Sequence, residues 1–455
     1  MDYSQPYDFL IIGGGQAGIP LAYTLAGEGL TVALAERKDL GGSCVNFGCT
    51  PTKAAIASAR VAHQARRAEE FGLKIPEVSV DFPAVLERAR GVAEGSRGGI
   101  EKGFAETDNP ELIRGHVRFE GRSEDGFNLS VGERGVTARQ VVINTGARTA
   151  VPPVSGLGDI DFLDSGNWLH RDELPARLVI IGGGYIGLEM GQFYRRMGSE
   201  VIVVAGGSGR VVAHEDEEVS AAMQNILEEE GVEFVSGRRA EKVEKRGDMV
   251  SLALDDGSAL EGTHLFLATG RKPNTDDLGL ENVGLELAKG GTIEVDGRLA
   301  TKVDGIQAAG DVRGGPMFTH TSYDDFRVIA SQIVGDGSRT TDRVVPYAVF
   351  TDPELGRVGM TEKEAREAGH DVEVMRYEIK NDGKATEIGE TKGFIKVVAD
   401  KGNKRILGAA VLAHEGAELV HAYIDLMNAG APYTVIRDAV HIHPTLSESI
   451  QSVVA

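Results

Sequence analysis

Phe9-Leu10-Ile11-Ile12-Gly13-Gly14-Gly15-Gln16-Ala17-Gly18 decides the fold: an apolar run, a glycine turn in Gly-x-Gly-x-x-Gly spacing, then a helical stretch. The strand Thr31-Val32-Ala33-Leu34-Ala35 follows and ends at Glu36. The same plan recurs as Leu178-Val179-Ile180-Ile181, then Gly182-Gly183-Gly184-Tyr185-Ile186-Gly187, then a helix and Val201-Ile202-Val203-Val204. One such glycine loop is a common turn. Two, each between a strand and a helix, specify two dinucleotide-binding units. In each, the first glycine (Gly13, Gly182) makes the turn and the second (Gly15, Gly184) lets backbone approach pyrophosphate. The third (Gly18, Gly187) lets helix pack on strand. The helix N-terminus then offers free N–H groups to the phosphates.

The ends of the second strands differ. Glu36 falls 23 residues after Gly13, where an acid accepts a ribose 2′-OH and repels a 2′-phosphate. That site suits an unphosphorylated adenosine, FAD or NAD. The same count from Gly182 reaches Ala205, followed by Gly206, Gly207, Ser208, Gly209 and Arg210. The reason to exclude NADPH is missing there, and Arg210 is a candidate for its 2′-phosphate or a surface loop arginine. The reading leans to NADPH and holds NADH open.

Just beyond the first fingerprint, Gly41-Gly42-Ser43-Cys44-Val45-Asn46-Phe47-Gly48-Cys49-Thr50-Pro51-Thr52-Lys53 contains the only two cysteines, at the start of an expected helix. A thiol pair beside a redox cofactor moves two electrons. In a reducing compartment a closed disulfide is catalytic more often than structural.

The bulk numbers narrow the field. The 455 residues suggest about three domains at ~150 residues each. Apolar content of 41% and charged content of 26% are those of a globular protein. A net charge of −21 argues against nucleic acid and anionic membrane as partners. No apolar run approaches a membrane span of ~20 residues. Acids at Asp2 and Asp8 leave no secretory n-region, so a cytoplasmic location is expected. His441 with His443, and His414 with His421, are spaced like metal ligands but lack a third, so no metal centre is expected.

Boundaries follow from the pattern. Val151-Pro152-Pro153 reads as a crossing point and Ala268-Thr269-Gly270-Arg271-Lys272-Pro273-Asn274 as the return. The expected division is FAD-binding unit 1–149, NAD(P)-binding unit 150–273, second part of the FAD-binding/central unit 274–344 and an α+β unit 345–455. The fold class is α/β, with two Rossmann-like domains and a C-terminal α+β dimerisation domain.

The fingerprints, Cys44-x-x-x-x-Cys49, Gly310-Asp311 and His443-Pro444-Thr445-Leu446-Ser447-Glu448 together resemble the flavoprotein disulfide reductases, class I pyridine nucleotide-disulfide oxidoreductases, over essentially the whole chain. The resemblance implies FAD at the first site, NAD(P)H at the second and a homodimer closed through the C-terminal domain. It implies that Cys49 is the thiol against the flavin, Cys44 the interchange thiol, and Lys53 paired with Glu189 near the flavin. It implies Tyr185 as lid over the nicotinamide and His443, oriented by Glu448, as acid–base group for the partner's disulfide. Asp311, Gly42, Ser43, Val117, Thr145 and Gly146 are implied on the FAD side, with Gly270 and Arg210 on the NAD(P) side.

Within the family the signals divide. Asp277-Leu278-Gly279-Leu280-Glu281-Asn282 resembles dihydrolipoyl dehydrogenase. Phe318-Thr319-His320-Thr321-Ser322-Tyr323-Asp324-Asp325-Phe326-Arg327, Val345-Pro346-Tyr347 and Ala431–Asp438 resemble the mercuric-reductase-like branch, which includes flavoproteins defending against reactive chlorine. The chain ends Gln451-Ser452-Val453-Val454-Ala455, without the C-terminal cysteine pair of true mercuric reductases. A reductase of a small-molecule disulfide or other oxidised-sulfur compound is the leading expectation. Dihydrolipoyl dehydrogenase, mercuric reductase and a flavin redox sensor without turnover are the alternatives.

Overall fold

The computed structural model describes residues 6–455; Asp2 lies outside them. In the first sheet β1 (Tyr7–Ile12), β2 (Val32–Glu36) and β3 (Glu111–Arg114) run parallel in the order β3-β2-β1. β1 also pairs in parallel with a later strand, β6 (Arg134–Ile143). β6 in turn carries the antiparallel meander of β5 (Gly126–Val131) and β4 (Val117–Ser123), and the strand Ile306–Ala308 pairs with it in parallel. The parallel strands bury both faces, so Phe9-Leu10-Ile11-Ile12 reads as a continuous apolar run.

The second sheet is parallel throughout: Val232–Ser236, Glu200–Ala205, Arg177–Ile181, His264–Leu267 and Leu163–Asp164, in that order. The chain enters this region through Ala147–Thr149 and leaves through Arg271–Pro273, and these two segments pair antiparallel as a ribbon. The C-terminal region is a five-stranded antiparallel sheet in the order Pro346–Val349, Glu354–Gly359, Ile406–Ala413, Phe394–Asp400, Val372–Glu378. Its inner face packs against the helix His421–Ala429 and the C-terminal turn, with Tyr423, Ile450 and Val453 in one core.

The α-helices that precede the C-terminal sheet are, among the described residues, α1 (Gly18–Gly27), α2 (Gly42–Asn46), α3 (Cys49–Arg66), α4 (Phe82–Ala105), α5 (Tyr185–Met197), α6 (Glu217–Glu229) and α7 (Thr319–Ile333). The cysteine segment is two helices and not one. In an unbroken helix the ring of Pro51 would collide with the carbonyl of Phe47. The chain therefore turns at Phe47-Gly48 and restarts at Cys49, where Pro51 sits harmlessly in the first turn. The Phe47 carbonyl so released accepts the indole N–H of Trp168 at 3.0 Å. A side chain at Gly48 would lie 2.8 Å from the Ser43 carbonyl oxygen, so the break needs glycine.

Candidate active site

Both fingerprint loops are closed by backbone contact. Gly13 and Gly182 have φ of 110° and 123°, in the region that favours glycine. A Cβ on Gly18 would lie 2.1 Å from the Gly13 carbonyl oxygen, and one on Gly187 1.9 Å from that of Gly182. Nothing stands within 4 Å of a Cβ on Gly184, so backbone there is open to a phosphate. At the first site the buried Asn144 braces the turn, accepting the Gly18 N–H at 3.0 Å and donating to the Ala309 carbonyl at 2.8 Å. The Glu36 carboxylate accepts the N–H groups of Gly14 (2.8 Å) and Lys38 (2.7 Å). These features fit a dinucleotide at each loop.

The dithiol is set directly on the first loop. Gly41 donates its N–H to the Gly14 carbonyl at 2.7 Å, and a Cβ on Gly42 would stand 3.0 Å from Cα of Gly15. Ser43 continues α2, its carbonyl accepting the N–H of Gly48 at 2.6 Å. Cys44 is half-buried within α2, and the exposed Cys49 opens α3. Both are free thiols, near enough that each shifts the other's ionisation. Their ionisation is unequal. Cys44 pulls Cys49 down, assisted by the Thr319 hydroxyl and by Lys53, against the desolvation of its sulfur by the side chains packed around it, the residue keeping an exposed edge. Cys44 is pushed up, first by Cys49 and then by burial. The thiolate of the pair is therefore Cys49, at a helix N-terminus that favours an anion.

Around it, Lys53 of α3 pairs with Glu189 of α5 at 2.7 Å, with the Glu189 side chain only 5% exposed. The other Glu189 oxygen accepts the Phe350 N–H at 3.0 Å, and the Lys53 ammonium lies 4.5 Å from the centroid of the Phe350 ring. Thr319, the first residue of α7, brings its Oγ1 to 3.2 Å from Cys49 Sγ. Tyr185 begins α5, its ring centroid 5.8 Å from that of Phe318.

The remaining expected residues lie in five places. Thr145 donates its hydroxyl to the Asn274 carbonyl at 2.7 Å, and Gly146 accepts the Asn274 N–H at 2.9 Å, so both lie where the chain crosses between sheets. Gly270 lies opposite on the return, accepting the Ala150 N–H at 2.9 Å. Val117 is a core residue of β4, paired with Val131. The buried Asp311 is bonded to Arg271 at 2.5 Å; burial raises its pKa against the opposing pull of Arg271. Arg210 turns to its own loop, 3.4 Å from the Ala213 carbonyl and 3.6 Å from Glu217. His443 is paired with Glu448 at 3.1 Å but makes no hydrogen bond to the dithiol of its own chain; its side chain is 77% exposed. Among the described residues no group of three or more potential ligands is placed to hold a metal ion, and no helix is long and apolar enough to cross a membrane.

Four residues of this site escape sequence reading: Asn144, Arg271, Phe318 and Thr319. Arg271 and Thr319 lie inside recognisable motifs, but their contacts to Asp311 and Cys49 cross 40 and 270 positions, which no local spacing signals.

This arrangement of two dinucleotide loops, a dithiol at a helix break and a C-terminal antiparallel domain belongs to one class. Residues 7–325 match the family model for pyridine nucleotide-disulphide oxidoreductases, and residues 345–454 match the dimerisation domain of that family. The chain belongs to this family; it is a flavoprotein disulfide reductase whose cofactors are FAD and NAD(P)H. It is 34% identical to the "Probable pyridine nucleotide-disulfide oxidoreductase RclA" of Escherichia coli (strain K12) over 98% of either chain. It is 35% identical to a dihydrolipoyl dehydrogenase of Halobacterium salinarum, covering 98% of this chain and 95% of the relative. Among solved structures it is similar to the Cu(II) complex of the HOCl-induced flavoprotein disulfide reductase RclA from Escherichia coli, with TM-score 0.91, 34% identity and 99% of each chain covered.

Proposed function

We propose that this chain is a cytoplasmic, homodimeric reductase of a small disulfide or other oxidised-sulfur electrophile, with NADPH its preferred reductant. The observation that carries the reading is the setting of the dithiol: Cys49 opens α3 with the Thr319 hydroxyl 3.2 Å from its sulfur and the Lys53–Glu189 pair one turn on, and Cys44 stands beside it in α2. When bound, FAD supplies the two electrons that it receives from NAD(P)H. Gly13, Gly15, Gly18, Glu36, Asn144 and Asp311 would hold it, and Lys53 with Glu189 would place a positive charge near its ring.

The remaining chemistry belongs to the protein. A base takes the proton of Cys44, and the thiolate attacks one sulfur of the substrate. An S–S bond forms at Cys44 as the substrate's own bond breaks, and the leaving sulfur receives the proton. Cys49 then attacks Cys44 Sγ, releasing the second product and closing the Cys44–Cys49 disulfide. His443, with imidazole oriented by Glu448, suits the base, because an imidazole can take a proton on one ring nitrogen and return it. Its exposure on the family's dimerisation domain suits service to the dithiol of the other subunit.

The test combines two variants. His443→Gln should leave flavin reduction by NADPH intact and lower disulfide turnover by about 10²–10⁴-fold. Cys44→Ser should keep the long-wavelength thiolate–flavin absorbance and lose substrate reduction. Unchanged turnover in the first variant removes the base, and loss of the band in the second reverses the thiol roles. A second reading, dihydrolipoyl dehydrogenase, is favoured by the 35% identity to such an enzyme. Rapid lipoamide turnover coupled to NAD⁺ would select it, and turnover with Hg(II) or Cu(II) alone would select a metal-ion reductase. Flavin reduction without turnover of any acceptor would indicate a sensor.

A further inference from the structure

The entry to α7 is held by groups that the redox roles leave unused. Phe318, which precedes α7, has two nearly parallel neighbours: Tyr347 at 5.4 Å and 5°, and His320 at 5.4 Å and 8°. Tyr185 leans on it as well, tilted at 43°. Tyr347 is itself fixed. Its hydroxyl donates to Glu215, whose other oxygen accepts the Arg357 Nε–H at 2.7 Å. Glu215 and Arg357 are buried, and Arg357 also donates to the Ala409 carbonyl at 2.7 Å. His320 Nε2 lies 2.6 Å from the Pro346 carbonyl, tying the strand of Tyr347 to α7 a second time.

A buried ion pair is a costly way to join two surfaces, because both charges lose water. Its effect is to allow one geometry, and here that geometry orients a phenol ring. The ring rests on Phe318, and the next residue, Thr319, touches Cys49. Glu215 also ends the loop that follows Ala205: its N–H donates to the Val212 carbonyl at 2.8 Å, and the Val212 N–H donates to the Gly183 carbonyl at 2.8 Å.

We propose that Tyr347 is a positioning residue: locked by Glu215 and Arg357, its ring holds Phe318 and thereby sets both the Thr319 hydroxyl on Cys49 and the seat of Tyr185. The strut joins the second fingerprint to the thiolate across the C-terminal sheet. It rests on the reading of Cys49 as the flavin-facing thiolate. The titratable and charged groups around that thiol are Cys44 on α2, Lys53 on α3, Tyr185 and Glu189 on α5, and His320 on α7. Tyr347 is linked to Cys49 through Phe318 and Thr319.

The experiment uses FAD-loaded protein carrying Cys44→Ser, so that Cys49 titrates alone, and follows the long-wavelength thiolate–flavin absorbance against pH. Adding Tyr347→Ala should raise the midpoint by about one pH unit, a tenfold loss of thiolate. In the enzyme with both cysteines, Tyr347→Ala should also raise KM for NADPH several-fold through Tyr185. Tyr347→Phe keeps the ring without the hydroxyl and should recover at least half of both effects. Thr319→Val should reproduce the midpoint shift and leave KM alone. A FAD-loaded Tyr347→Ala protein with an unmoved midpoint overturns the proposal, even if it melts at a lower temperature. Should Tyr347→Ala fail to bind FAD, Phe318→Leu takes its place: a raised midpoint supports the strut and an unmoved one overturns it. If the Cys44→Ser parent shows no thiolate band, the assignment of Cys49 falls and the strut falls with it.

Discussion

The two fingerprint loops are the same device with different endings. Each turns on a left-handed glycine and presses its third glycine against the carbonyl of the first, at would-be Cβ separations of 2.1 Å (Gly18) and 1.9 Å (Gly187). They part at the end of the next strand. Glu36 grips two N–H groups of the first site, while the methyl of Ala205 only meets the space beside Gly183. On the proposed reading, the glycine turn would serve the pyrophosphate common to both ligands, and the strand end would discriminate at the ribose 2′ position.

The largest effect should come from breaking the shared part. Gly187→Ala should lower NAD(P)H oxidation by more than about 100-fold while FAD stays bound, since its new Cβ meets backbone that cannot retreat. Gly18→Ala should do the converse and yield protein without FAD. Absorbance of bound flavin and stopped-flow reduction by NADPH read the two outcomes. If either variant impaired both sites equally, the loops would not be independent devices.

The differing part comes next. Ala205→Asp should shift the NADPH/NADH ratio of kcat/KM towards NADH by at least about tenfold, because a carboxylate there repels a 2′-phosphate and accepts a ribose hydroxyl. Glu36→Gln tests the opposite ending. It keeps a polar oxygen but loses charge-assisted hydrogen bonds, each worth about 1.5–3 kcal/mol. FAD affinity should fall about tenfold in equilibrium dialysis, with coenzyme preference untouched. A Glu36→Gln enzyme that holds FAD as tightly as before would reduce Glu36 to a brace for the loop.

Much of this contrast is legible in the sequence, because glycine spacing, apolar runs and the acid at a fixed offset are all local. The cysteine segment shows where local reading stops. Pro51 stands four residues after Phe47, yet the residues around it read as one helix; the break becomes evident only when Trp168 is seen capping the freed carbonyl. Thr319 on Cys49, Arg271 on Asp311 and Tyr347 on Glu215 are contacts between elements 40 to 270 positions apart in the chain. No period or motif encodes them, since each side chain is ordinary in its own segment. His443 is legible as a type of residue but not as a place, because its surroundings within the chain are Glu448 and open space.

The smallest effect concerns the cation that would replace the missing acid. Arg210, the residue nearest in sequence, is already engaged with the Ala213 carbonyl and Glu217. Arg239, arriving after the neighbouring strand Val232–Ser236, is exposed, and its Cγ lies 3.7 Å from where a Cβ on Gly206 would stand. Its neighbour Arg238 is paired with Asp256 at 3.1 Å. Gly207 has nothing within 4 Å of a would-be Cβ, and Arg239, whose stem passes Gly206, makes no ion pair among the described residues. An exposed charge of this kind contributes modestly and is screened by salt. Arg239→Ala should therefore raise KM for NADPH about three- to fivefold at low ionic strength, less at high salt, and leave KM for NADH unchanged. Arg210→Ala should change neither by more than about twofold. A larger loss in Arg210→Ala than in Arg239→Ala would return the 2′-phosphate to the loop itself, and the second site would then end as the first does, on a residue of its own strand and turn.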